Sequence, residues 1–294
     1  MVVSYLIWGS LPIFWKMLQS VMPLYLLSSR IVWSMVFLGV IILLTGRMQQ
    51  LKDTLRDKKE MGKLLLSGTL ITLNWSVLVI QVVTNRMLEN SLTNYMVPIF
   101  SIVMGYFVFK EKLDKLQWAS VALVSIGVAI VLIRYGQVPW LALLGAVTFP
   151  MYSGIKKTLK CDGVVSVFCE TLWFCVPALA IVLWYELGGN SVTQVLSGAE
   201  LLLLPLSGVA TSMPLWLYAL GLRLGTPMTM TGMIMFLSPT MIFFEGLLVY
   251  HETFDPIYAI LFGFVWTGVV LFFISNLRQH RKLMAASGKV SDLS

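Results

Sequence analysis

The sequence predicts an all-α polytopic membrane protein of ten transmembrane helices, arranged as two inverted five-helix repeats with both termini in the cytoplasm. Three observations predict it. Of 294 residues, 58% are hydrophobic and 12% charged, and the mean hydropathy is +0.84; a soluble chain carries roughly 25% charged residues, so there is too little polar surface here for a water-exposed globule. Basic residues gather at one set of segment ends. A hairpin is also written twice: residues 94–114 match residues 235–255 at an offset of 141, with Pro98 on Pro239, Gly105 on Gly246, Val108 on Val249, Glu111 on Glu252 and Asp114 on Asp255.

A spanning helix needs about 20 mainly apolar residues, and in lipid a helix satisfies its own backbone where an open strand cannot. Ten runs qualify: 2–20, 24–45, 62–83, 88–109, 116–134, 139–155, 164–185, 200–221, 227–250 and 256–276. The first is short: Val2 to Trp15 makes about 21 Å of helix against a hydrocarbon core of about 30 Å, so a truncated first helix is expected. It has no basic n-region and does not read as a signal peptide. The predicted organisation is a first repeat at 1–134, a second at 139–277 and a basic, solvated tail at 278–294.

Orientation follows from the bases. Sixteen lie at one set of ends, in 46–61, 110–115, 156–163, 277–294 and at Arg223, against three (Lys16, Arg86, Arg134) at the other. The base-rich ends are the cytoplasmic ones. An offset of 141 residues covers five spans, an odd number, so the second copy enters the membrane upside down. Its hairpin then faces outward, where Lys110, Lys112 and Lys115 have become His251, Thr253 and Pro256. The repeat also keeps Lys16 on Lys157, Trp75 on Trp216, Met87 on Met228 and Gly127 on Gly268. Inverted repeats of this kind place a solute site near the bilayer midplane at the repeat interface. The net charge of +7 is thus spent on orientation and does not point to nucleic acid.

Ionisable groups inside spans carry the chemistry, because each is costly in lipid. Arg30 lies a third of the way into the second span, with Trp33 three residues on; at an offset of 140 these fall on Glu170 and Trp173. Corresponding positions therefore hold opposite charges beside a tryptophan. One reading has Arg30 binding an anionic group of a solute and Glu170 a cation or proton. The other is a structural ion pair across the repeat interface. Glu245 in the ninth span is a further candidate for proton coupling. Ser67, Asn74 and Gln81 recur at seven-residue spacing on one face of the third span, to line a cavity or to bond a neighbouring helix. Pro98 and Pro239 interrupt matched spans and are candidate hinges. Ala259, Gly263 and Thr267 form a small-residue ridge expected to pack helices. The two His and three Cys show no metal-ligand or disulfide spacing, and no hydrolase or phosphate-loop motif is present, so neither an enzyme nor a metal or cofactor is expected.

Taken in order, Tyr5-Leu6-Ile7-Trp8-Gly9 with Pro12, Ser29-Arg30-Ile31-Val32-Trp33-Ser34, Asn74-Trp75, Glu89-x-Ser91-Leu92 with Tyr95 and Pro98, and Phe109-x-Glu111-x-Leu113 resemble RarD-type permeases. These form part of the EamA family in the drug/metabolite transporter superfamily. In the second half Glu170-Thr171-x-Trp173, Pro214-Leu215 and Pro239 agree. The resemblance implies a central cavity lined by spans 1–4 and 6–9, with spans 5 and 10 peripheral, and a cell-membrane permease for a small organic solute working by alternating access. The partners expected are that solute, a proton or other coupling ion, and the bilayer; a homodimer stays open. Arg30, Asn74 and Glu170 are the expected polar contacts, with Trp8, Trp33, Tyr95 and Trp173 as walls. The competing class is a non-transporting membrane partner, an assembly or sensor platform, in which the same polar groups would be tied off in a dry core.

Overall fold

Long apolar runs form helices wherever capping groups stop and start them. In the computed structural model, which describes residues 1–84, 86–189, 191–249 and 256–291, the helices are α1 (Val2–Lys16), α2 (Pro23–Leu44), α3 (Met48–Arg56), α4 (Lys58–Val83), α5 (Met87–Phe107), α6 (Lys115–Tyr135), α7 (Trp140–Lys157), α8 (Gly163–Leu187), α9 (Leu203–Arg223), α10 (Met228–Met235), α11 (Leu237–Leu248) and α12 (Pro256–Ser291). Pro23 opens α2 with the fixed φ a first turn wants. Asp57 accepts the Lys59 and Glu60 amides at the head of α4, Asp162 the Val164 amide at the head of α8, and Asp114 and Gln117 form a capping box on α6.

Among the described residues, seven stretches of helix are long and apolar enough to cross a bilayer: Pro23–Leu44, Lys58–Val83, Lys115–Tyr135, Gly163–Leu187, Gly198–Arg223, Met228–Leu248 and Ala259–Gln279. The chain is a multi-pass membrane protein. The other expected spans are also helices: α1 has 15 residues and α7 has 18, while α5 carries a polar first third from Glu89 to Asn94. All three pack among the longer helices.

The packing order places the site. Going round the bundle, α2 packs on α8 and α9, α9 on α1, α1 on α11, α10 on α5, α5 on α7, α7 on α4 and α4 back on α8. Helices α6 and α12 pair with each other beside this ring, touching it mainly through α5. Their contact is reciprocal. A Cβ on Gly127 would come within 2.8 Å of Phe264 and 3.4 Å of the Leu261 carbonyl; one on Gly268 would come within 2.6 Å of Val124 and 2.8 Å of the Ser120 carbonyl. Ser120 and Leu261 are themselves 141 residues apart.

Four details depart from the sequence reading. The 46–61 connection contains α3, which buries Leu51 and Thr54 on one face. The ninth span is broken into α10 and α11 at Phe236, three residues before Pro239; a proline there cannot donate to the carbonyl four residues back. Helix α12 runs on through most of the tail expected to be a separate segment. The ridge of Ala259, Gly263 and Thr267 faces outward, with open space around Gly263, because the packing glycine of α12 is Gly268. The second hairpin, with Tyr250, Glu252 and Asp255, lies outside the described residues.

Gly127→Leu or Gly268→Leu should lower stability by about 1–3 kcal/mol, the cost of overpacking a close contact, read as a fall in apparent melting temperature in detergent. Gly263→Leu should leave it unchanged.

Candidate functional site

Arg30 and Lys156 are bases set among the helices, and their fates differ. Lys156 closes the last turn of α7 with its side chain 1% exposed. Its Nζ lies 2.8 Å from Oε2 of Glu170 on α8 and donates to Ser166 Oγ at 2.7 Å. The other Glu170 oxygen accepts from Ser67 Oγ on α4. Both charges are thus paired and hydrogen-bonded, the condition under which a buried ion pair is tolerated, and α4, α7 and α8 are fastened at one point.

Arg30, on α2, has no such partner. Two indole rings turn their faces to its guanidinium, Trp15 of α1 with its centroid 5.0 Å away and Trp75 of α4 at 4.6 Å. Among the described residues, no acceptor meets any of its N–H groups and no carboxylate lies within ion-pairing distance; its Nε is buried without a partner. Trp75 also lines a cavity of about 20 Å³ together with Ile31, Ile71, Thr72, Glu170 and Leu215, room for about one water. Arg30 and Glu170 thus share Trp75 as a neighbour without forming an ion pair with each other, so the cross-repeat pair weighed from the sequence does not occur here.

The remaining predicted residues are spread more widely. Asn74 is buried and donates to the Gly145 carbonyl at 2.9 Å and to Thr148 Oγ1 at 3.3 Å, binding α4 to α7. Gln81, on the same face, donates to Thr93 of α5 at 2.9 Å. With Ser67 on Glu170, the polar stripe of α4 therefore bonds three neighbouring helices in succession. Trp8 joins an aromatic cluster: its ring lies 5.1 Å from Tyr5, 6.0 Å from Phe149 and 5.6 Å from Tyr218, and Tyr218 donates to Ser153 at 2.6 Å. This plug connects α1, α7 and α9. Tyr95 is buried edge-on to Phe262 of α12 at 6.1 Å, away from Arg30. Trp33 and Trp173 are 36% and 45% exposed and are not brought to Arg30 or to Glu170. Among the described residues, Oε2 of Glu245 on α11 is buried with no hydrogen-bond partner. The Pro98 carbonyl would lie 2.6 Å from a Cβ at Gly232, so α5 and α10 touch backbone to backbone beside one candidate hinge, while Pro239 follows the break at Phe236.

The acids of the first hairpin reach well beyond their own turn. Glu111 Oε1 accepts from Lys157 Nζ at 2.9 Å and from the Met228 amide at 2.7 Å, and Oε2 accepts from the Thr229 amide at 2.8 Å. It therefore caps the N-terminus of α10, a helix of the other half. Burial pushes the Glu111 carboxyl up, but these donors outweigh it and hold it below the usual carboxylate range. Asp114 accepts from Gln279 at 3.0 Å and from Ser275 of α12. At the same end Asp162 takes Arg47 at 2.8 Å and Arg223 at 3.0 Å. Glu60 takes Lys63 at 3.1 Å and the Lys160 amide at 3.0 Å. Sequence reading missed Lys156: it is one of two adjacent lysines ending a helix and pointing about 100° apart, and which of them turns inward is set by the rotation of α7. Among the described residues no three His, Cys, Asp or Glu side chains gather as a metal site would require.

The comparisons with known proteins bear on the family and the fold. The EamA-like transporter family profile matches residues 1–133. An uncharacterized transporter of Vibrio cholerae is 34% identical over 94% of this chain and 91% of its own. The uncharacterized transporter YojE of Bacillus subtilis is 34% identical over 95% and 94%, and the RarD protein of Streptomyces exfoliatus is 31% identical over 96% and 89%. The chain belongs to the EamA-like transporter family. Within it, the likeness to RarD proteins runs almost end to end, so the packing of both halves falls inside the matched length. One solved structure, described as "Crystal structure of protein", superposes with a TM-score of 0.69 at 15% identity, over 94% of this chain and 96% of that one; at that identity the likeness speaks to the fold alone.

Lys156→Met should destabilise by about 3–5 kcal/mol, because it leaves Glu170 charged and buried without its partner, whereas Lys156→Met with Glu170→Leu should recover most of that loss. Unfolding of both in detergent checks it. For Glu111, a folded-state pKa below its unfolded one means that its stabilisation is full at neutral pH and is lost as pH falls through the folded value. Glu111→Gln should therefore cost about 2 kcal/mol at neutral pH, and the gap between variant and parent should close in acid.

Proposed function

We propose that this protein is a secondary transporter that carries a small organic solute across the cell membrane by alternating access, with both termini cytoplasmic and with inverted halves at 1–134 and 139–277. The observation that carries the reading is a broken symmetry in the helix packing. Under the 141-residue offset, the packing of α2 on α9 corresponds to that of α8 on α4, and α1 on α9 to α7 on α4; all four occur. Yet α9 also packs on α7 and α8, while the corresponding approach of α4 to α1 and α2 has no comparable packing. Two equivalent halves in unlike arrangements are what an alternating-access bundle presents in one of its two end states. The family profile ends at residue 133, beside the proposed boundary between halves, and the Gly127 and Gly268 contacts obey the same offset.

On this reading the base-rich end is the closed, cytoplasmic side, held by the cluster of Tyr5, Trp8, Phe149 and Tyr218 and by the carboxylates on Arg47, Lys157 and Arg223. The looser side is the outer one, where Arg30, Trp15 and Trp75 stand between α1, α2 and α4. Exchange of the two arrangements would open the cytoplasmic side through movement at Pro98 and at the break before Pro239. Of the two carboxylates considered for proton coupling, Glu170 is already neutralised by Lys156, so Glu245, with its unpartnered oxygen, is the coupling candidate.

Cells with and without the protein should differ severalfold in the export or uptake of at least one small metabolite, and that solute should exchange across proteoliposomes containing only this chain. If no solute differs between the cells, the transport reading fails and the membrane-partner reading takes its place. With a transported solute in hand, Glu245→Gln should flatten the pH dependence of its uptake; an unchanged profile removes Glu245 from the mechanism.

A further inference from the structure

We propose that the solute is an organic monoanion and that Arg30 receives its carboxylate at the gap between α1, α2 and α4. The inference rests on the transport reading and adds the substrate's charge class to it. Its first support is the absence of an internal counter-ion. Glu170, which shares Trp75 as a neighbour, is committed to Lys156 and Ser67, and neither it nor Glu245 pairs with Arg30 among the described residues. The acids at the helix ends are committed as well, Glu111 to Lys157, Asp162 to Arg47 and Arg223, and Glu89 to Arg86 and the head of α7. A guanidinium keeps its charge in any protein environment, so Arg30 cannot escape its situation by giving up a proton as a lysine could.

The second support is magnitude. A cationic side chain within a span costs several kcal/mol, and indole faces return about 2 kcal/mol at a desolvated site. Trp15 and Trp75 therefore hold the guanidinium in place without replacing an anion. What they leave unused is its set of in-plane N–H donors, which match the two oxygens of a carboxylate.

The third support is the character of the surroundings. Trp15, Trp75 and Ile31 offer apolar surface beside one positive charge, which suits a carboxylate on an apolar or aromatic body. A dianion such as phosphate would want a second base, and among the described residues no cation but Arg30 lies over either indole face.

Binding can be tested apart from transport. The probes are acetate, phenylacetate and indole-3-acetate, each with its uncharged amide, and phenethylamine as the cation. They are titrated into the full chain in nanodiscs of phosphatidylcholine, and the readouts are tryptophan fluorescence and apparent melting temperature. At least one aromatic carboxylate should give a saturable response, its amide and the amine should not, and Arg30→Gln should weaken that response roughly 30-fold or more, the scale of removing one member of a desolvated charge pair. Arg30→Lys should retain part of it, and the charge series on the parent protein remains decisive should Arg30→Gln fail to fold. A response that is equal for acid and amide, survives Arg30→Gln, or is absent for every carboxylate overturns the proposal. So does loss of the carboxylate response when phosphatidylglycerol replaces part of the phosphatidylcholine, since the anion at Arg30 would then be a lipid headgroup. Failure here is separable from failure of the transport reading. A neutral solute moved equally well by the parent and by Arg30→Gln would sink the anion assignment alone, whereas carboxylate binding with no solute moved would sink transport alone.

Discussion

The ion pair between Lys156 and Glu170 is the constraint on which the base-rich half of the bundle depends. It joins α7 to α8, and through Ser67 it brings in α4. One residue further along, about 100° around the helix, Lys157 reaches Glu111, and the same carboxylate caps α10. Two adjacent lysines thus fasten the end of α7 to helices on opposite flanks. The pairs work differently. Lys156 and Glu170 are almost fully withdrawn from solvent, so each is tolerable only while the other is present. Glu111 is only partly withdrawn, and its effect comes through the two backbone amides it satisfies at the start of α10.

This contrast gives Arg30 its meaning. A membrane interior does not forbid charge; it requires that charge be answered. Lys156 is answered from within the chain. Arg30 has two tryptophan faces and unused donors, between α1, α2 and α4, which make little direct contact with one another. A conformational change that brought α4 towards α1 and α2 would move Trp75 and Trp15, which hold the guanidinium. On the proposed alternating-access reading, an anion bound there would be sensed by the helices that rearrange, which would link recognition to motion without a further device.

Much of this was legible in the residues. Apolar length located the helices, while the orientation read from the bases and the inverted halves read from the 141-residue offset belong to the proposed function. The cost of charge in lipid picked out Arg30 and Glu170. What the sequence could not supply was rotation. Trp33 and Trp173 sit three residues beyond the two charged groups, and 300° of helical turn leaves each about 60° away from its neighbour, enough to put the charge inside the bundle and the ring at its surface. Rotation also hid Lys156, which counts as one more base at a segment end until the helix is turned to bury it. Depth and partner choice are properties of three helices meeting, so no one segment encodes them. The Pro239 break was signalled by the proline, whereas Pro98, in an equivalent position, leaves α5 unbroken against Gly232; the matching residues do not have matching surroundings.

The duplicated hairpin becomes intelligible once partners are known. In its first copy Glu111 caps α10 and holds Lys157, and Asp114 caps α6 and holds α12. Lys110, Lys112 and Lys115 form no ion pair among the described residues. In the second copy the sequence keeps an acid at both capping positions, Glu252 and Asp255, and replaces all three lysines. It also keeps Lys16 where Lys157 stands in the first clamp, and Met87 where Met228 stands. Selection for orientation alone would account for the lost bases, but it is silent on the acids, which weigh little in that rule. Selection for the clamp accounts for the acids and for Lys16, the one base of the set that survives on the base-poor side. Within this hairpin and its clamp, the charges that recur in the second copy are thus the counterparts of those with structural partners in the first, and the three lysines that do not recur form no ion pair there among the described residues.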